Sequence, residues 1–264
     1  MKIFCLASVM LLSAILLFIC GCATVAHTDR TQLMMVSEEN EVAMGNEAWQ
    51  QVMASEKLST DAEKIHTVER IGGNIVKSLG TTANKYPWEF KVIESDTANA
   101  FALPGGKVAV YSGLFKYAAN DAELAAVMGH EIAHVIARHG AERMSHQMAL
   151  QVGGAIAAAF MQESQVQNMD LWMQAYGVAA NVGAILPYSR KHEYEADYLG
   201  LLYMAKAGYD PRAAIAFWNK FSDPSKESAL TAFLSTHPMS SDRIQEMNRR
   251  MPEALAYYQQ SRRK

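Results

Sequence analysis

The sequence predicts an α+β, mostly helical domain, with a small antiparallel sheet packed near one central helix. Three observations predict it. Apolar residues recur at helical spacing in several long stretches, most strongly Leu124, Val127, Met128, Ile132, Val135 and Ile136. Between residues 88 and 111 the pattern changes to period two, and Pro104-Gly105-Gly106 separates Asn99–Leu103 from Lys107–Tyr111 as a turn separates two short strands. Finally, the central helical stretch carries His130-Glu131-Ile132-Ala133-His134. Positions i and i+4 stack one turn apart on a helix, so both imidazoles can face one metal ion while Glu131 stands beside the first of them.

Taken in order, residues 1–21 read as a lipoprotein signal peptide. Lys2 precedes an uncharged, mostly apolar run from Ile3 to Cys20, and the small Gly21 stands directly before Cys22. A transmembrane anchor is the alternative, but the run is only just long enough to span. The small residue before a cysteine favours cleavage and lipidation at Cys22. The chain has 3 cysteines, none beyond position 22, so the remaining domain has neither a disulfide nor a thiolate metal ligand. Residues 22–36 are expected to be a tether and residues 37–264 one domain, a comfortable size for a single core. The formal net charge of −3 provides no basic footprint, which excludes nucleic acid as a partner.

Ser37-Glu38-Glu39 opens a helical stretch through Met53, and Thr60–Glu63 opens another that runs to Leu79 with Ile65, Val68, Ile71, Ile75 and Val76 as its apolar stripe. His66 lies on that second helix as a surface or structural residue. The sheet that follows admits two readings equally: an edge that pairs with an extended peptide, or a cover for the helix. Asn120 and Glu123 read as an N-cap with its capping-box partner, and Gly140 as the stop of a helix of about five turns. His139 does not complete the H-E-x-x-H-x-x-G-x-x-H pattern, because Ala137 stands where that pattern has Gly and Gly140 where it has His. On a continuous helix it points about 140° from His134, so it is expected to be a cation that complements the helix C-terminus. From Glu142 to Leu186 the chain reads as one or two weakly polar helices. Core packing is the expectation; a lid or a membrane-facing surface is the alternative. His146 has no partner pattern.

Glu193 and Asp197 share one face of the helix expected from Lys191 to Ala207, whereas Glu195 lies about 200° around from Glu193 and cannot join the same ligands. A His₂Glu zinc site needs one carboxylate on the metal and an acceptor behind a ligand histidine, and Glu193 and Asp197 suit those two tasks. A structural zinc site is disfavoured, since such sites are closed and rich in cysteine.

HEIAHVIARH, YSRKHEYEAD and STHPMSSDRI, with NAFALPGGKVAVYSGL before them, resemble the gluzincin metallopeptidases, the zincin-like family of the CAAX prenyl proteases and HtpX-type proteases. With the lipoprotein signal and no spanning helices in the body, the likeness is greatest to its periplasmic lipoprotein members. That resemblance implies one Zn2+ per chain held by His130, His134 and Glu193, with Glu131 as general base and Asp197 orienting a ligand histidine, His130 foremost. It implies that His237 lies over the metal, as a regulatory ligand or an oxyanion donor, and that Arg243 stands near the developing oxyanion. The activity implied is hydrolysis of peptide bonds in misfolded or unassembled envelope proteins. Ala23, where Asp would retain a lipoprotein at the inner membrane, implies the outer membrane facing the periplasm. The rival function is a latent peptidase acting mainly as a chaperone or assembly factor for outer-membrane proteins, in contact with the assembly machinery there.

Overall fold

The computed structural model describes residues 22–164, 166–180, 186–220 and 227–263. The expected signal, residues 1–21, lies outside them, as does Asn181 within the apolar run 175–186. The described chain is mostly helical and groups into two compact units: residues up to Glu38 with Ala141–Tyr188, and Glu39–Gly140 with the residues from Ser189 onward.

In the first unit, residues 22–36 are not an irregular tether. They include β1 (Cys22–Thr24) and β2 (Thr31–Leu33), an antiparallel pair with Ala23 opposite Gln32. Arg30 donates two hydrogen bonds of 2.7 Å to the buried Glu142 carboxylate, and the Met35 amide donates to Ser145 Oγ at 2.8 Å. These contacts fix the hairpin to α4 (His139–Glu163), which is followed by α5 (Met169–Ala180). Tyr176 OH donates to the Leu150 carbonyl at 2.8 Å and ties the two helices together. The core packing expected here is not what forms. Met148, Val152, Ile156 and Phe160 repeat every four residues along α4 and are exposed, as are Leu171 and Trp172 on α5.

The second unit holds the main core. α1 (Glu38–Ser55) is followed by α2 (Ala62–Ser78), whose Asp61 N-cap accepts from the amides of Glu63 and Lys64. Val68, Ile71 and Ile75 form its buried stripe, while His66 is exposed. β3 (Glu89–Ile93), β4 (Ala100–Leu103) and β5 (Lys107–Tyr111) make a sheet in the order β3-β5-β4. The hairpin β4–β5 is antiparallel, with Gly105 and Gly106 at φ 80° and 82°, a left-handed turn that glycine adopts without steric cost. β3 pairs with β5 in parallel, so the sheet is mixed and β4 is an edge.

α3 (Asp121–Ile136) lies under this sheet with nearly every side chain buried, from Leu124 to Val135. Asn120 caps it by accepting from the Glu123 amide at 3.0 Å, and Glu123 reaches back to the Ala119 amide at 2.7 Å. The helix stops earlier than Gly140. Ala137 is the C-cap and Arg138 takes φ 55°, so His139 begins α4 instead of ending α3. Against α3 runs α6 (Leu186–Lys206), then α7 (Arg212–Lys220), α8 (Glu227–Thr236) and α9 (Ser241–Ser261), the last capped by Ser240.

The crossing of α3 with α6 is made by two glycines. A Cβ at Gly200 would lie 2.9 Å from the His130 amide nitrogen, and one at Gly129 would lie 2.9 Å from the Gly200 carbonyl oxygen. The absence of side chains there lets the two backbones touch beside His130. A methyl group at this point has backbone on its far side and no flexible neighbour to displace, so overpacking should cost about 1–3 kcal/mol. Gly200→Ala should therefore lower the urea midpoint by an equivalent amount and weaken metal retention as well. An unchanged midpoint with full metal retention would show that the crossing is not tight.

Candidate metal centre

Each polar group of the site is placed by the helix that carries it. His130, Glu131 and His134 project from α3, Glu193 and Asp197 from one face of α6, His237 from just beyond α8, and Arg243 from the first turn of α9. The His237 amide still donates to the Phe233 carbonyl at 2.9 Å, and its ring packs 5.0 Å from that of Phe233. It is therefore set by the helix end rather than by an open loop.

These elements bring His130, His134, Glu193 and His237 to one point, with ligand atoms all within 4.8 Å of one another. His130 Nε2 lies 3.1 Å from His134 Nε2, 3.2 Å from His237 Nδ1 and 3.4 Å from Glu193 Oε2, and His134 Nε2 lies 3.4 Å from Glu193 Oε1. A tetrahedron with arms of ~2.1 Å, the usual length of zinc bonds to nitrogen and oxygen, has edges of about 3.4 Å. The donor set therefore has the size and chemistry for a divalent cation.

The electrostatics agree. Burial opposes charge on Glu193, but hydrogen bonds with His130, His134 and His237 outweigh it and hold the carboxyl well below its ordinary range. Burial also opposes a charged His130, yet Asp197 and Glu193 overcome it and push the imidazole up to about 9. His134 goes the other way: burial dominates and keeps it neutral. The ionised Glu193 and the neutral His134 thus present electron pairs to the centre of the cluster.

Behind the ligand atoms, Asp197 Oδ1 lies 3.0 Å from His130 Nδ1. Arg243 is directed at Asp197, with Nε 2.7 Å from Oδ2 and Nη2 2.7 Å from Oδ1, while Nη1 donates to the Pro238 carbonyl at 2.9 Å and lies 3.1 Å from Glu193 Oε2. Its guanidinium stacks over Trp218 at 5.0 Å. It forms a fork on Asp197 and also reaches Glu193, at the edge of the cluster.

Glu131 is buried beside this group, with Oε1 3.3 Å from His237 Nε2. Burial raises its pKa above that of an ordinary glutamate, although the charges of His237 and His130 and a backbone hydrogen bond from Ala102 of β4 work against the shift. The edge strand therefore reaches the carboxylate.

Sequence reasoning missed one pair. His139 is fully buried, with Nδ1 2.9 Å from His134 Nδ1 and Nε2 2.9 Å from Glu195 Oε2. It is not an exposed residue at the end of α3. The continuous-helix angle failed because Arg138 breaks the helix and turns the chain back. A signal for Glu195 was present: α6 carries no charged residue from Tyr198 to Ala205, so a carboxylate off the Glu193 face also needs a partner.

Residues 62–251 match the profile of peptidase family M48. The mitochondrial metalloendopeptidase OMA1 of Schizosaccharomyces pombe is 36% identical over 86% of this chain and 66% of its own, and that of Saccharomyces cerevisiae 31% identical over 89% and 70%. The beta-barrel assembly-enhancing protease of Escherichia coli is 30% identical over 80% of this chain, which spans only 43% of that relative. The likeness thus extends to mitochondrial endopeptidases and is not confined to bacterial envelope proteins. With most of the chain matched and a cluster that could hold a metal ion at its core, the chain belongs to peptidase family M48.

Proposed function

We propose that this chain is a zinc-dependent endopeptidase of the bacterial envelope, anchored by lipid at Cys22 to the outer membrane and facing the periplasm, and that it cleaves misfolded or unassembled envelope proteins. The observation that carries the chemistry is the convergence of His130, His134 and Glu193 beside the buried carboxylate of Glu131. The placement in the envelope is supported by the apolar segment before Gly21-Cys22, by the exposure of Cys22 at the start of β1, and by the bacterial relatives' name. Among the described residues no helix is long and apolar enough to cross a membrane.

A bound zinc supplies Lewis acidity that polarises a carbonyl and makes water a nucleophile near neutral pH. The chain's own residues do the rest. Glu131, made more basic by burial, takes the proton of the attacking water and returns it to the leaving amine. β4 offers an edge on which an extended peptide adds as a further strand, and the Ala102 backbone beside Glu131 brings that peptide to the base. Asp197, held by Arg243, fixes the proton of His130 on Nδ1 and turns Nε2 to the centre.

A second reading is favoured by His237. Its Nδ1 lies 3.1 Å from Glu193 Oε2 and 3.2 Å from His130 Nε2, so it fills the fourth corner of the cluster. Four ligands leave no open position, which describes a latent peptidase that acts mainly in assembly of outer-membrane proteins.

Two experiments test these readings. With an unfolded protein as substrate, Glu131→Gln should keep its metal and lose about 10²–10⁴-fold in cleavage rate, the usual worth of a general base. Undiminished cleavage at full metal content would remove Glu131 from the reaction. His237→Ala should raise cleavage while zinc content, measured by atomic emission, stays near one per chain. A loss of activity with zinc retained would make His237 a participant in the reaction instead of a brake.

A further inference from the structure

Within the second unit, the two histidines of α3 are supported from behind in different ways. His130 has a carboxylate directly at its Nδ1. His134 has another imidazole there, and the carboxylate comes one step later. We propose that His139 and Glu195 are positioning residues for metal binding, forming with His134 a chain Glu195–His139–His134 that fixes which nitrogen of His134 carries the proton. This inference rests on the reading of His134 as a metal ligand.

The directions of the hydrogen bonds follow from the groups present. An ionised carboxylate only accepts, so His139 Nε2, 2.9 Å from Glu195 Oε2, carries the hydrogen and donates it. When His139 carries only that hydrogen, its lone pair is on Nδ1. Across the 2.9 Å between the two Nδ1 atoms, His134 is then the donor. With its hydrogen on Nδ1, His134 presents an unshared pair at Nε2, the atom that faces His130 and Glu193. This set of tautomers satisfies both contacts and leaves the ligand nitrogen ready for a cation.

The geometry is locked on each side. His139 is fully buried, Glu195 is nearly so, and the ring of His192 stacks on that of His139 at 4.3 Å and 12°. Arg138, in a left-handed conformation, donates through Nε to Glu41 at 2.6 Å, which holds the break that brings His139 back onto His134. Such a turn disfavours a non-glycine residue, so the contact is one the fold maintains against a local preference. Glu193 and Glu195 therefore divide the two faces of α6: one points to the metal cluster and the other supports a histidine of that cluster from the rear.

The test compares the full-length wild type with His139→Leu, His139→Asn and Glu195→Gln. Zinc affinity is measured by competition with a chromophoric chelator, and the ligand field by the visible absorption of the Co2+-loaded protein. The Asn side chain places its carbonyl oxygen near the site of Nδ1 and still accepts from His134. His139→Leu should lower zinc affinity about 10–100-fold and alter the Co2+ spectrum. Glu195→Gln should fall between it and wild type, and His139→Asn should recover most of the loss even if it is no more stable to urea than His139→Leu. The proposal is overturned if His139→Leu binds zinc as wild type does with an unchanged Co2+ spectrum, or if Asn recovers nothing over Leu, since His139 then only fills space. If the wild type itself takes up no zinc, the metal reading fails and this inference falls with it.

Discussion

Buried negative charge is the constraint on which the site depends. Glu131, Glu193, Glu195 and Asp197 are all buried on α3 and α6. A carboxylate inside a protein must be paired and hydrogen-bonded, or it gives up its charge. Each of the four meets that demand differently. Asp197 takes the fork of Arg243, Glu195 takes His139, and Glu193 takes the imidazoles of the central cluster. Glu131 has the weakest support, and burial raises its pKa. A divalent cation at the centre satisfies Glu193 and the facing ring nitrogens together. The one carboxylate left less well satisfied is the one proposed to move a proton.

This concentration of charge is possible because two backbones touch. Gly129 and Gly200 remove the side chains that would hold α3 and α6 apart, and they do so next to His130 and one turn from Asp197. Buried aromatic rings pack on the same groups, Trp218 at 5.5 Å from the His130 ring and Phe233 at 5.0 Å from that of His237. Low local dielectric strengthens each ion pair and makes each unpaired charge costly. Packing and electrostatics are therefore coupled: displacing the helices by the width of a methyl group would loosen both.

What was legible in the sequence follows from the same physics. Within one helix the direction of a side chain is set by its position, so spacing alone assigns His130 with His134, and Glu193 with Asp197, to common faces. Turn residues were equally readable, and Gly105-Gly106 closes the hairpin where expected. The break at Arg138 was not, because an arginine at positive φ has no sequence signature as Gly or Asn would. That single residue moved His139 from a helix end to the interior. The parallel pairing of β3 with β5 was hidden because alternation shows which face is buried and not which strand lies alongside. The exposed stripe of α4 was hidden because apolar residues read as core whatever covers them. For Arg243 the resemblance implied a cation near the reaction, and spacing gave no sign of its fork on Asp197.

The most direct test is to locate the metal. Crystals of the full-length protein grown with zinc should give, in data collected at the zinc absorption edge, one anomalous peak per chain in contact with His130 Nε2, His134 Nε2 and Glu193. A peak held by other residues, or no peak in crystals of protein that contains stoichiometric zinc in solution, would contradict the account.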